Sequence, residues 1–262
     1  MARRPGYVIG RAVNTQGKPL SGVRIRVFGT TTAGEKTSFE TKTGANGTYS
    51  VRLPRGNYHV GWAHYLVPAP AGPAYGLPLH PTDSDISDQD SGPGIVENFV
   101  LKTSGRISSL GDAASDLSYY GGYITVEGGT LENGDFLSGY TYRFPAGSAV
   151  ELTLTPIGKL TDGSTGRTLV LRRPVDRGYI AEFFDVPIGQ YEVKARLMLA
   201  DGTVQALRVA AARPMSGTSP VYATPGAKDF GASGTIYFPS RGDSIPLLTY
   251  GGVAKAPIYV QP

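Results

Sequence analysis

The sequence predicts an all-β protein: two tandem β-sandwiches followed by an irregular C-terminal extension. Three observations carry this expectation. Gly 36 and Pro 20 stand beside 40% hydrophobic residues and 16 Tyr, a composition suited to many short strands joined by tight turns. The frame Pro-x-Gly-x-Tyr-x-Val is written twice, at Pro54, Gly56, Tyr58, Val60 and at Pro187, Gly189, Tyr191, Val193. The length, 262 residues, exceeds the commonest size for a single core. Cysteine is absent, so packing rather than disulfides must hold the fold.

The first unit spans residues 1–103. YVIGRAV and SGVRIRVFG read as strands on either side of a Gly17-Lys18-Pro19 turn. In the second of them Val23, Ile25 and Val27 alternate with Arg24, Arg26 and Phe28, which gives one buried face and one basic, solvent-facing face. TSFETKT and TYSVRLP follow, joined by Gly44-Ala45-Asn46-Gly47, and Asn-Gly there supplies the positive φ of a hairpin turn. Pro54 ends a strand by withholding a donor, Gly56 permits a bend, and Tyr58 and Val60 share one face of the strand over 57–66. A Pro- and Asp-rich insertion without periodicity, 67–96, precedes a closing strand, ENFVLKT.

Residues 104–121 read as a linker and 122–211 as the second sandwich. Its strands are YITVEG, YTYRF, AVELTLTPI, TLVLRRPV, YIAEFFDVP, YEVKARLML and TVQALRVAA, with turns at Glu132-Asn133-Gly134, Asp162-Gly163 and Asp201-Gly202. In residues 212–262 the short apolar runs TIYF, IPLLTY and APIYV are too few for a third core. That extension is expected to add edge strands to the second sandwich or to serve as an assembly arm reaching a neighbouring subunit.

The stretches GRAVNTQGKPLSGVRIRV (10–27), TGANGTYSVRLPRGNYHV (43–60) and ENFVLKT (97–103) resemble the carboxypeptidase regulatory-like domain, a transthyretin-like β-sandwich. The resemblance covers residues 6 to 103, and the second unit is only loosely similar. It implies a sandwich of about seven strands used as an accessory or adhesive module, without an active site of its own. The expected fold is therefore two tandem immunoglobulin/transthyretin-like β-sandwich domains.

No catalytic constellation is legible. The three histidines, His59, His64 and His80, all lie in the first unit, and strict strand alternation sets residues five apart on opposite faces, so no metal pair is expected. Asp83, Asp85, Ser87, Asp88 and Asp90 suggest a calcium loop, but Asp88 stands where a tight-turn Gly belongs and Gly94 where the closing Glu belongs, so a solvated acidic loop is expected instead. Arg241-Gly242-Asp243-Ser244 has no His after it to complete a hydrolase triad and reads as a turn. Lys18 lies in a turn rather than a strand, so no isopeptide crosslink to Asn98 is expected. The aromatic residues Trp62, Tyr65 and Tyr75 flank the insertion and, with Asp83, Asp85, Asp88 and Asp90, form the candidate binding set; Tyr119, Tyr120 and Tyr123 open the second unit as core.

A net charge of +4 with only 18% charged residues, the basic ones scattered along the chain, does not suggest nucleic acid. MARRPGYVIGRAV lacks the apolar run of a secretory signal, and nowhere do about eighteen apolar residues run together to suggest membrane insertion. The expected role is a non-enzymatic structural and adhesive component of a large assembly, a minor tail or tail-tip protein of a bacteriophage or phage-like particle. The alternative is a carbohydrate-binding or adhesion module on a bacterial cell surface. Expected partners are other protein subunits in a homo- or hetero-oligomer and, on the alternative, a cell-surface glycan, with no cofactor, no metal and no catalytic residue. The location is then a virion (phage tail) or the extracellular surface.

Overall fold

The computed structural model describes residues 1–67, 75–82, 87–106, 119–132, 135–138, 143–175, 178–211, 213–214, 222–223, 227–238 and 255–261. They form two compact units, one built from residues up to Lys102 and one from Thr103 onward. The protein is all-β, relieved among the described residues by a single 3-10 turn at Ala227–Asp229.

The first unit contains β1 (Tyr7–Asn14), β2 (Arg24–Thr31), β3 (Lys36–Lys42), β4 (Thr48–Arg52), β5 (Gly56–Val67), β6 (Tyr75–Pro78), β7 (His80–Pro81), β8 (Gln89–Asp90), β9 (Ile95–Val96) and β10 (Phe99–Leu101). One sheet runs β4-β1-β10-β7 with β9 also on β1; the other runs β3-β2-β5-β6 with β8 also on β5. β1 and β10 pair in parallel, Ala12 opposite Phe99. The inward positions Val8, Ala12, Ile25, Val27, Phe99 and Leu101 are wholly buried, as period-2 patterning requires.

Two local expectations are corrected here. β3 and β4 do not form a hairpin: β3 pairs with β2 and β4 with β1, so Gly44–Gly47 carries the chain from one sheet to the other. The Gly47 amide still donates to the Gly44 carbonyl and Gly47 has φ 76°, so the turn has the predicted chemistry but joins strands of different sheets. What draws the chain across is Thr43, whose buried hydroxyl donates to the Leu20 carbonyl and accepts from the Val23 amide. The 67–96 insertion, in turn, supplies strands to both sheets, β6 and β8 to one and β7 and β9 to the other. Strands of two to four residues are too short to show a period.

The second unit contains β11 (Gly122–Glu132), β12 (Asp135–Ser138), β13 (Ala149–Pro156), β14 (Leu169–Pro174), β15 (Ile180–Val186), β16 (Gln190–Met198), β17 (Val204–Ala211), β18 (Arg213–Pro214), β19 (Tyr222–Ala223), β20 (Gly234–Tyr237) and β21 (Lys255–Gln261). β17 pairs with β16 through Val204–Leu207 and then with β21 through Arg208–Ala211. A strand that changes partner midway is how one layer of a β-structure turns into the next. Within the expected C-terminal extension, β21 is an interior strand, parallel to β11 on one side and antiparallel to β17 on the other. Its buried Ala256, Ile258 and Val260 explain the placement: an alternating apolar run needs a core to face. IPLLTY and the Arg241–Ser244 motif lie outside the described residues, as does most of YTYRF.

The repeated frame has one architecture and two kinds of closure. Gly56 and Gly189 lack positive φ; a Cβ at Gly56 would lie 2.2 Å from the Thr30 carbonyl oxygen and one at Gly189 2.8 Å from Leu160 Cδ2. Close approach to backbone, rather than a bend, demands glycine at Gly56, whereas at Gly189 the near atom is the tip of a side chain that can shift. Tyr191 turns inward and donates its hydroxyl to the Pro187 carbonyl at 2.6 Å, closing its own corner. Tyr58 is equally buried, but the matching Pro54 carbonyl is taken by the Ser91 hydroxyl at 2.9 Å, which itself accepts from the Gly56 amide. The Tyr58 hydroxyl has no hydrogen-bond partner among the described residues.

Opposite consequences follow for removing each hydroxyl. Tyr191→Phe should destabilise the second unit by about 1 kcal/mol, while Tyr58→Phe should be neutral or stabilising, because a buried unpaired hydroxyl carries a desolvation penalty. Denaturant unfolding of the two variants checks this; equal losses would contradict the assignment.

Candidate functional site

β5 carries one residue more than β2 can match. The register steps from Val27↔Val60 to Arg26↔Trp62, leaving Gly61 as the bulged residue. Before the bulge Tyr58 and Val60 face the core and His59 faces out. After it Ala63 faces the core, and Trp62 and His64 share the outer face with His59. The expected separation of His59 from His64 is thus corrected by a bulge that alternation alone cannot foresee. Gly61 is also obligatory, since a Cβ there would come within 2.2 Å of the Phe28 ring.

Cross-strand pairing then builds an ordered outer face. Its rows are Lys42–Arg24–His64, Glu40–Arg26–Trp62 and Ser38–Phe28–His59. The Arg24 guanidinium carbon sits 5.5 Å from the centre of the Trp62 ring, and that of Arg26 lies 6.0 Å from Trp62 and 4.9 Å from Phe28. Trp62 stacks in turn on His64 at 4.9 Å with 19° between the planes. Each guanidinium over a ring contributes about 0.5–2 kcal/mol and has its side chain fixed by the contact. Glu40 is the only carboxylate in these rows. Its oxygens lie 4.0 Å from Arg24 Nη2 and 3.6 Å from Arg26 Nε, longer than a charge-assisted hydrogen bond. Arg24 and Arg26 side chains are 36% and 38% exposed, although Arg26 Nε itself is buried.

The sequence-derived site residues sort unevenly against this face. Trp62 belongs to it, but only 9% of its surface is exposed, so the indole is a platform for arginine rather than a surface for a sugar ring. Tyr65 falls, by alternation beyond the bulge, on the face opposite Trp62. Asp88 accepts from His59 Nδ1 at 2.5 Å, and Asp90 accepts from the Gly92 amide, so both serve local structure. Asp83, Asp85 and the Tyr75 side chain lie outside the described residues. Among the described residues no group of three His, Asp or Glu side chains converges on one point. The Asn98 Oδ1 atom accepts from the Arg11 amide, and Lys18 lies in a turn organised by the Asn14 side chain. Arg24, Arg26 and Glu40 were missed as a set; the alternation in β2 marked the two arginines as co-facial, but β3 had to be placed beside β2 to bring in Glu40.

In the second unit, Tyr119, Phe184 and Tyr123 stack nearly parallel, Tyr123 at 5.0 Å from Phe184, and the Tyr123 hydroxyl bonds Glu182. Asp185 forms a bulge opposite Tyr123 with φ 60°, a conformation that Asp tolerates better than most residues. Its carboxylate accepts from the Gly105 and Gly121 amides, and burial raises its pKa against the pull of those two bonds.

No family model matches the chain, and no curated protein matches it. Among solved structures, the Streptococcal ancillary pilin shares 13% identity at a TM-score of 0.25, over 98% of this chain and 62% of the pilin. The chain therefore spans less than two thirds of that protein. The TIE protein of Bacillus anthracis shares 12% identity at a TM-score of 0.33, over 98% of this chain and 50% of its own. The major pilin of Streptococcus pyogenes shares 10% identity at 0.23, over 99% and 98%.

His80, in β7, is held neutral: burial, with Lys102 adding to it, lowers its pKa from 6.5 to about 3. The unfolded chain takes up this proton first, so the stability tied to neutral His80 is complete above pH 6.5 and drains away as pH falls toward 3. Between pH 6.5 and about 4.5, the melting temperature should fall more steeply for the native chain than for His80→Gln. Parallel slopes would contradict a neutral, half-buried imidazole.

Proposed function

We propose that the chain is a non-enzymatic structural and adhesive module, a subunit of a larger assembly displayed at a cell surface. The observation that carries this reading is the outer face of β2, β3 and β5. Three cationic side chains, two of them braced on aromatic rings, are held at fixed register on a rigid sheet, which is how a contact surface is preorganised. The resemblance of the first unit to carboxypeptidase regulatory-like domains supports the same reading, because that module serves as an accessory or adhesive unit. Several carboxylates of the described residues serve local structure: Glu151 pairs with Arg196, Glu182 with Tyr123, Asp162 with Ser164 and Asp88 with His59. A glycosidase would instead aim two of them at one cleft. The reading as a bacteriophage tail component draws on no particular feature of this face and ranks behind the cell-surface reading.

Beads coated with the full chain should adhere to at least one of a panel of fixed bacterial and epithelial cells. Arg24→Gln combined with Arg26→Gln should cut adhesion by about tenfold, the scale expected when charge-assisted contacts are lost. Failure to adhere to any of the cells, or adhesion indifferent to both substitutions, would contradict the reading.

A further inference from the structure

We infer that the Arg24–Arg26–Lys42 face binds an acidic polysaccharide bearing carboxylates, with the two guanidiniums as the anion-recognising groups. This deepens the adhesive reading and rests on it.

The face itself indicates the chemistry of its ligand. Glu40 places a carboxylate in front of both guanidiniums, yet at 3.6 and 4.0 Å it satisfies neither with a good hydrogen bond. Arg26 Nε is buried and has no hydrogen-bond partner among the described residues. A donor in that state is costly to leave unmet, and an incoming carboxylate that displaces Glu40 can meet it. Successive rows along β2 are two residues, about 7 Å, apart, so cations recur along the strand as anions do along an extended polymer.

The rest of the surface narrows the class. Among the described residues Trp62 is covered by guanidiniums and stacked on His64, so the indole offers no open face on which a nucleobase can stack. Protein partners are usually anchored by large side chains in dry pockets, but this sheet face presents charge braced on rings whose faces are occupied. The adjoining positions Ser38, Thr30 and Asn57 offer short polar groups suited to hydroxyl-rich chains.

Trp62 is the chain's single tryptophan, so its fluorescence reports on this site directly. The full chain is titrated with polygalacturonate and, in parallel, with neutral dextran, poly-L-glutamate and a single-stranded thymidine oligonucleotide. Polygalacturonate should give a saturable change that weakens on raising the salt, dextran none, and the other two polyanions a response at least about tenfold weaker. Arg24→Gln and Arg26→Gln should each weaken polygalacturonate about tenfold, and Glu40→Gln, which removes the competing carboxylate, should tighten it. Circular dichroism establishes that each variant is folded. No response to polygalacturonate, an equal response to dextran, poly-L-glutamate or the oligonucleotide, or weakening by Glu40→Gln would overturn the inference. Bead adhesion that depends on Arg24 and Arg26 without polygalacturonate binding removes the polysaccharide and leaves the adhesive reading; loss of both removes both.

Discussion

The surplus residue in β5 is the constraint on which the functional face depends. With strict alternation from Tyr58 onward, Trp62 would lie beneath the sheet beside Val60, leaving Arg24 over no ring and Arg26 over Phe28 alone. Gly61 absorbs the extra position, reverses the facing of everything after it, and at the same time clears the space that the Phe28 ring occupies. One glycine therefore sets both the parity of β5 and the bracing of Arg26 between Phe28 and Trp62.

Charge on this sheet is organised in layers rather than pairs. Exposed ion pairs are worth about 0–1 kcal/mol, and the Glu40 contacts are long, so neither is a credible source of stability. Rings below the guanidiniums do more, by fixing the side chains without consuming their donors. Stability of the unit comes instead from the wholly buried Val8, Ile25, Val27, Tyr58 and Phe99 between the sheets, which leaves the outer surface free for contact.

Much of the fold was legible because it obeys period two. β1, β2, β13, β16 and β17 were all readable from alternation, and the turns at Asp162-Gly163 and Asp201-Gly202 carry the positive φ that their glycines announce. Sheet membership was not legible: Thr43 sends β3 and β4 to different sheets through bonds to residues about twenty positions away. The run APIYV looked like an edge or an arm, since nothing local shows that β11 and β17 leave a gap for it. The repeated tyrosines were recognised, but the divergence of their hydroxyls depends on Ser91, far from Tyr58 in sequence. Of the candidate site, Arg24, Arg26 and Phe28 are visible in the sequence as one face, whereas Trp62, a candidate binding residue by its place beside the insertion, is a covered support because of the bulge.

The central claim is that Arg24 and Arg26 lie over Trp62 with neither guanidinium consumed by a close ion pair. Nitrogen-edited NMR of the arginine Nε–Hε groups tests it most directly. The account predicts two signals displaced upfield by the indole ring current, both returning toward the ordinary arginine region in Trp62→Leu and both moving on addition of an oligogalacturonate. Arg24 and Arg26 signals indistinguishable from those of the other arginines in the native chain would contradict it.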